Sequence, residues 1–430
     1  MKIAIDLSPL QGPHRMRGIG YTVIHFINNI SQKDKESNEY VFYVLPASLQ
    51  QYDPLDVLDL EGFSYEVKEL KKGWRLGFKL PGKLRYATHG VNEIFKLLES
   101  SFGDSRIGSL KGVDVFLQCD QSQTLPRKRR KTRLAVILYD IIPYVLEWDY
   151  LWNYKTSKAR GYTWKGATVG VVRRYMYRRN LKSNVRRADS LLAISESTAK
   201  DFAKIFRFKK SKIKVIPLGI PERSERSSKQ PDLKKYRQTS WGYFPEKVSS
   251  AEFGRPFLLF VGGADRRRKL EDLVGAFNML RAQGNDIKLV LVGDSMQGPD
   301  TVSTADTQKA IMDSSYLKDI IFMGFASDDV REWLYEHALA FVFPSRYEGF
   351  GLPVLEAMQY GTPVISYRND ATVEVSGSIP MYAESATDIL EFTEALLEKG
   401  FSEKERKVSM AHASKYNWKI TSAKIIERLS

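Results

Sequence analysis

The chain has 430 residues, 43% of them hydrophobic and 27% charged. That is the make-up of a folded soluble protein longer than one core usually holds, so two domains are expected. No apolar run approaches the roughly 18 residues of a transmembrane helix, and Cys119, the only cysteine, excludes an internal disulfide and a cysteine-based zinc site.

The net charge of +15 is unevenly placed. Residues 1–221 carry 39 Lys and Arg against 21 Asp and Glu, a net +18, and residues 222–430 carry 27 against 30, a net −3. Residues 124–187 alone hold 17 basic and 3 acidic side chains. A basic first half seeks an anionic partner, either nucleic acid or an anionic membrane surface.

In chain order, residues 2–7 (K-I-A-I-D-L) read as a first strand and not as a signal peptide, which makes the cytoplasm the expected compartment. A loop and Gly18 and Gly20 follow. Val23, Ile24, Ile27 and Ile30 then recur at helical spacing. Residues 40–45 and 113–117 are further strands. Residues 73–85 mix apolar and basic side chains, as in a membrane-surface segment or a lid loop. The basic run at 126–133 is a solvated loop or part of the anionic-partner face. Strand 134–138 leads into Tyr139 and Asp140. Residues 150–187 interleave Tyr150, Trp152, Tyr154, Tyr162, Trp164, Tyr175 and Tyr177 with arginines. An interfacial helix, a single-strand nucleic-acid groove and a soluble helix packed by its aromatics all use that pattern. Strand 190–194 precedes a helix that Ser195 or Thr198 caps. Strand 213–216 ends the first domain, and 222–256 is a polar linker with some insertion.

The second domain opens with strand 257–261. Gly262 and Gly263 make a close turn, and four basic residues follow in a row, an arrangement suited to a diphosphate. Residues 287–292 and 320–325 are strands, and 328–338 is a helix. Residues 338–344 (A-L-A-F-V-F-P) form a buried strand. Residues 345–358 (S-R-Y-E-G-F-G-L-P-V-L-E-A-M) then give a glycine turn and a helix start, with Pro353 suited to the first helical turn. Free N–H groups there favour an anion. Glu348 and Glu356 flank that anion site. Carboxylates beside phosphate repel it, so both are assigned to sugar hydroxyls. Strand 362–366 and a closing helix at 418–429 complete the chain.

E-G-F-G-L-P-V-L-E-A-M resembles the E-x7-E signature of retaining GT-B glycosyltransferases of family 4. The resemblance implies that Glu348 contacts the donor sugar and Glu356 the ribose, while the amides of Gly349, Phe350, Gly351 and Leu352 meet the diphosphate and sugar. It aligns Gly18, Gly20 and Tyr21 with the family's G-G-I-G-R-Y-T loop, which faces the donor phosphates and the acceptor. It aligns Tyr139 and Asp140 with H-D-x-x-P on the acceptor side, with Tyr139 where many members carry His. Gly262, Gly263, Arg267, Arg268 and Lys269 fall on V-G-x-x-x-P-R-K-N-L, which leaves open which two of the three bases contact the phosphates. Phe325 falls at the base pocket and Glu374 on S-x-x-P-E-V-x-G.

The implied fold is α/β: two doubly wound Rossmann-like domains, 1–221 and 257–415, facing across a cleft, with helix 416–430 crossing back to the first. The implied activity is retaining transfer of a hexose from a nucleoside diphosphate sugar to a hydroxyl. Glu348, Arg267 and Arg268 would carry the chemistry, without metal or cofactor. The donor reading leans to GDP-mannose. The acceptor is a lipid-linked or growing surface glycan at the inner membrane face, and nucleic acid is not the expected partner. A non-catalytic membrane or nucleic-acid binder on the same fold is the alternative. A sugar phosphorylase would need a pyridoxal-binding lysine, which the sequence does not identify.

Overall fold

A computed structural model describes residues 1–12, 15, 18–71, 103–104, 106–108, 110–127, 131–147, 154–159, 163–223, 253–293 and 305–430. The expected surface segment at 73–85, Tyr150, Trp152, Tyr162 and most of the expected linker lie outside the described residues. The chain divides into two compact units, Met1–Pro221 with Tyr416–Ser430, and Glu222–Lys415.

The first unit is built on β1 (Lys2–Asp6), β2 (Glu39–Val44), β3 (Ser64–Glu69), β4 (Val115–Gln118), β5 (Arg133–Leu138), β6 (Ser190–Ala193) and β7 (Ile213–Val215). They form one sheet in the order β3-β2-β1-β4-β5-β6-β7, and every pairing is parallel. The central strands are buried on both faces, which is why they read as continuous apolar runs. Edge strand β3 (S-Y-E-V-K-E) is largely exposed and charged, so no apolar run marks it in the sequence.

Helix α1 (Gly18–Asn28) corrects one expectation. The helix begins at Gly18 itself, so Gly18 and Gly20 are helical and not loop residues. Thr22 Oγ1 donates to the Gly18 carbonyl at 2.8 Å and tightens that turn. In the long helix α2 (Trp164–Arg187) the arginine-aromatic pattern divides. Arg174 and Arg178 pair with Glu147, and Tyr177 packs on Tyr144 with ring centroids 6.0 Å apart. Trp164, Val172 and Tyr175 are exposed, as are Arg179, Lys182 and Arg186 one to three turns on. Helix α3 (Glu196–Phe206) is capped by Ser195, whose hydroxyl accepts from the Thr198 N–H at 2.9 Å.

The second unit holds β8 (Phe257–Val261), β9 (Lys288–Val292), β10 (Ile320–Gly324), β11 (Ala340–Phe343), β12 (Val364–Tyr367) and β13 (Met381–Ala383). Its sheet is also wholly parallel, in the order β10-β9-β8-β11-β12-β13. Helices α4 (Leu270–Ala282), α5 (Asp328–His337), α6 (Leu352–Gln359) and α7 (Asp370–Ser376) carry the residues around its site. The closing helix α8 (Trp418–Leu429) returns to the first unit. There the Ser422 hydroxyl donates to the Phe26 carbonyl at 2.9 Å, and Trp418 stacks on His25 at 5.5 Å.

Candidate active site in the second unit

In doubly wound sheets ligands settle beyond the carboxyl ends of the strands, where the winding reverses. Here that point lies between β8 and β11, which pair directly while their next neighbours lie on opposite sides. Residues 262–269 leave β8 and residues 344–351 leave β11, so two loops distant in sequence meet at one crevice. Gly262 has φ +147, and a Cβ there would collide with the Arg268 guanidinium. Arg266–Arg268 form one 3-10 turn and Lys269 is left-handed at φ 43. Three consecutive bases are therefore aimed in three directions.

Arg267 points inward and is 6% exposed. Its Nη1 donates to the Tyr347 carbonyl at 2.9 Å, to Ser345 Oγ at 3.3 Å and to Glu348 Oε1, and its own carbonyl accepts from the Arg346 N–H at 2.9 Å. Arg268 crosses the crevice, donating from Nε to Glu348 Oε1 and from Nη1 to the Gly263 carbonyl, at 3.3 and 3.2 Å. Lys269 turns away to Glu271 Oε1 at 3.0 Å. Ser345 Oγ also donates to Glu348 Oε1, at 2.9 Å. Burial pushes the Glu348 carboxyl up. The charges of Arg267 and then Arg268, with the bonds from Ser345 and Arg267, outweigh it and hold the group below its ordinary value. The acid is therefore neutralised locally, which the simple repulsion argument from sequence missed.

Gly351 caps α6 at φ 108 without a side-chain bond to the first amides, and Pro353 sits in the first turn. Gly349 and Gly351 are buried and Phe350 is 3% exposed. The Phe350 ring therefore belongs to the core. Leu352 is half-buried at the helix start. Glu356 lies farther along α6. The Tyr335 hydroxyl on α5 donates to its Oε2 at 3.0 Å, and Arg331 Nε lies 3.9 Å away. The Asn369 side chain, which caps α7, donates to the Ser345 carbonyl at 2.8 Å and ties down the turn before Glu348. Phe325 follows β10 and is 47% exposed, and Glu374 lies on α7.

Residues 246–378 match the sequence model of the glycosyl transferases group 1 family. That match covers less than half of the chain and falls within the second unit. Across the chain, 253 residues are 24% identical to "O-antigen chain mannosyltransferase B" of Escherichia coli, covering 57% of this chain and 61% of that protein. A 255-residue match is 26% identical to "Serotype-specific mannosyltransferase WbdA" of Escherichia coli, covering 58% of this chain and 29% of that one. The matched region thus spans less than two thirds of either relative. Among solved structures, WaaG, "a glycosyltransferase involved in lipopolysaccharide biosynthesis", aligns with TM-score 0.60 at 12% identity over 100% of this chain and 99% of that one. Anabaena Alr3699/HepE, solved with UDP-glucose, aligns with TM-score 0.58 at 14% identity over 99% and 98%. These likenesses, with the two parallel sheets, give the fold: GT-B.

The remaining sequence-derived residues lie in the first unit, outside the matched region. Tyr139 follows β5 and is 5% exposed. Burial first, then Cys119 and Asp120, hold its phenol well above the ordinary value. The group therefore stays protonated and is no base near neutral pH. Asp140 accepts from the Ile142 N–H at 3.0 Å, and Tyr21 on α1 packs against His25 with centroids 4.2 Å apart. Sequence reasoning missed Asp6 and Asp120, both buried at the carboxyl ends of β1 and β4. A polar residue closing a buried parallel strand was the available signal. It also missed Ser345, Arg331 and Tyr335. Arg331 and Tyr335 stand at i and i+4 on α5, one face of one helix.

Proposed function

We propose that this chain transfers a hexose from a nucleoside diphosphate sugar to a hydroxyl, with retention at the anomeric carbon and without a metal ion. The observation that carries the reading is the meeting of the basic turn at 267–269, Glu348 and the start of α6 at one strand crossover. Basic groups and free helix amides suit a diphosphate, and a carboxylate beside them suits sugar hydroxyls. In the step, the bond from the anomeric carbon to the diphosphate oxygen breaks as a bond to the acceptor oxygen forms on the same face. The acceptor's proton passes to the departing phosphate. Fixed positive charge aimed at that leaving group lowers the barrier. Glu356, set by Tyr335, is assigned to the ribose.

GDP-mannose is the donor we favour, and its sugar is supported by the mannosyltransferase names of the two Escherichia coli relatives. The acceptor is a lipid-linked or growing surface glycan at the inner face of the cytoplasmic membrane. Among the described residues no helix is long and apolar enough to cross a membrane. Peripheral contact is supported by α2, whose exposed positions run from Trp164, Val172 and Tyr175 to Arg179, Lys182 and Arg186.

Calorimetric titration with GDP, UDP, dTDP and their common sugars, in metal-free buffer, tests this. Binding of one nucleotide, with transfer of its sugar in unchanged anomeric configuration by NMR, is expected. No nucleotide binding, with salt-sensitive binding to anionic vesicles or RNA instead, overturns it in favour of a non-catalytic binder.

A further inference from the structure

Arg223 is the first base after the chain leaves Pro221 and enters the second unit. Its half-buried guanidinium joins the two helices α5 and α6. Nη2 donates to Glu336 Oε1 on α5 at 2.8 Å, and the guanidinium carbon stands over the Tyr360 ring, 4.9 Å from its centroid. Tyr360 caps the end of α6. It lies four positions after Glu356, so the two share one face of that helix. Its ring stacks on that of Tyr335 at an interplanar angle of 8°. Its phenol meets Glu332, one turn before Glu336 on α5. Burial first, then Glu332, hold that phenol well above its ordinary value, so it stays protonated and a donor. Tyr335 in turn donates to Glu356 Oε2 at 3.0 Å. Side chain by side chain, the seam between α5 and α6 runs from the entering segment to the acid assigned to the ribose.

We infer that Arg223 and Tyr360 are positioning residues for Glu356. They hold the Tyr335 ring at the angle that aims its hydroxyl, and so tie recognition of the ribose to the segment on which the chain enters the unit. The inference rests on the assignment of Glu356 to the ribose and deepens it. The effect of either residue on binding passes through one contact, the carboxylate on the ribose hydroxyls. It is therefore absent for a ligand that lacks those hydroxyls. A loss of Arg223 felt only through charge would act differently. Glu332, Glu336 and Glu356 all lie along the seam, and a more negative seam repels every nucleotide alike.

The test is calorimetry of the full chain with GDP, UDP and the 2′,3′-dideoxy counterpart of each. Wild type is expected to bind one nucleotide and to bind its dideoxy counterpart more weakly. R223M keeps an apolar stem and removes the guanidinium. It is expected to weaken that nucleotide about 2- to 5-fold, part of one hydrogen bond. Its affinity for the dideoxy counterpart should stay within about 1.5-fold of wild type. Y360L, which deletes the stacked ring, should show the same selective loss. R223M/Y335F should bind no more than about 2-fold more weakly than Y335F alone, because both changes act on one hydroxyl. R223M that binds the nucleotide as wild type does, that loses both ligands equally, or that adds its full loss to that of Y335F overturns the inference. Wild-type protein that binds neither nucleotide, or binds each as well as its dideoxy counterpart, overturns the ribose assignment itself, and the inference with it.

Discussion

The two units share one winding and differ in what they place at its reversal. In each sheet the first strand of the unit lies beside the fourth, and the chain runs outward from that pair in both directions. In the second unit the crevice beyond β8 and β11 holds Arg267, Arg268 and a neutralised Glu348. In the first, the ends of β1 and β4 hold Asp6, Gln118 and Asp120, all buried. Gln118 Nε2 donates to Asp6 Oδ2, and Asp120 Oδ1 accepts from the Ser122 N–H at 2.8 Å. Local charge therefore runs opposite to bulk charge. The net +18 portion has carboxylates at its crossover, and the net −3 portion has guanidinia. The excess positive charge of the first unit stands in part along the outer face of α2, where Arg179, Lys182 and Arg186 are exposed. A crossover lined by carboxylates and amides suits hydroxyls, and one lined by guanidinia suits phosphate.

The largest expected effect breaks the balance in the basic crevice. Glu348→Ala leaves the buried Arg267 guanidinium with Asp265 Oδ2, 3.7 Å from its Nη2, as its carboxylate partner, so the cost should approach from below the roughly 3–5 kcal/mol of unpairing a buried ion. Urea unfolding should show that loss in the transition that bound nucleotide shifts, and not in the other. A loss below about 1 kcal/mol would mean that the pair is open to water and that the two crevices are less different than described.

Next in size is the acidic crevice. Asp120→Asn keeps an acceptor for the Ser122 amide but removes the charge. If the first unit holds the acceptor hydroxyl, kcat/KM for the acceptor should fall roughly 10- to 100-fold, as for loss of a charge-assisted contact, with GDP affinity unchanged. A matching fall in nucleotide affinity would erase the division of labour between the crevices.

Much of this contrast was legible in sequence, and the missing part has physical causes. β8 and β11 are apolar runs because parallel strands are buried on both faces. The helix start after β11 is announced by Gly351, whose φ of 108 other residues resist, and by Pro353. β3 was invisible because an edge strand tolerates charge, and β13 because three residues make no pattern. G-x-G read as a loop at Gly18 because glycine is a poor helix residue, yet α1 starts there. The pairing of Arg267 with Glu348 crosses 81 positions, a separation that no local spacing rule reaches. The separate directions of Arg267, Arg268 and Lys269 depend on a 3-10 turn and a left-handed Lys269, neither of which four bases in a row reveal. Asp6 and Asp120 went unremarked because single acids carry no motif.

Acid should separate the crevices by a smaller amount. The Glu348 carboxyl is held low, so its contribution to stability is complete above its unfolded value near 4.5 and is lost as pH falls through the lower folded value. Burial pushes Asp6 up despite the Ser8 amide and hydroxyl. Its contribution is complete below its unfolded value near 3.8 and is lost as pH rises through the higher folded value. Calorimetric scans from pH 7 to pH 3 should therefore narrow the Tm gap between wild type and Glu348→Gln. Over the same range wild type should gain on Asp6→Asn. The readout is the sign of each change with pH, which should be opposite for the two carboxylates. Parallel trends in the two variants would mean that the carboxylates are not oppositely loaded.

The smallest effect concerns how Glu356 is set. Tyr335 is 1% exposed and packs against Phe341 and Tyr360, with ring centroids 5.4 and 6.1 Å apart. Tyr335→Phe keeps that packing and deletes a hydroxyl that donates to Glu356 Oε2. Arg331 remains 3.9 Å from the same oxygen, so the carboxylate keeps a charge partner and loses direction more than it loses support. Affinity for the nucleotide should fall by only about 3- to 10-fold, less than a full charge-assisted bond, with kcat nearly unchanged. A ribose contact predicts the same loss for the nucleoside monophosphate as for the diphosphate, since both carry the sugar. If only the diphosphate weakens, Tyr335 acts on the phosphates through α6, and Glu356 belongs to the anion site after all.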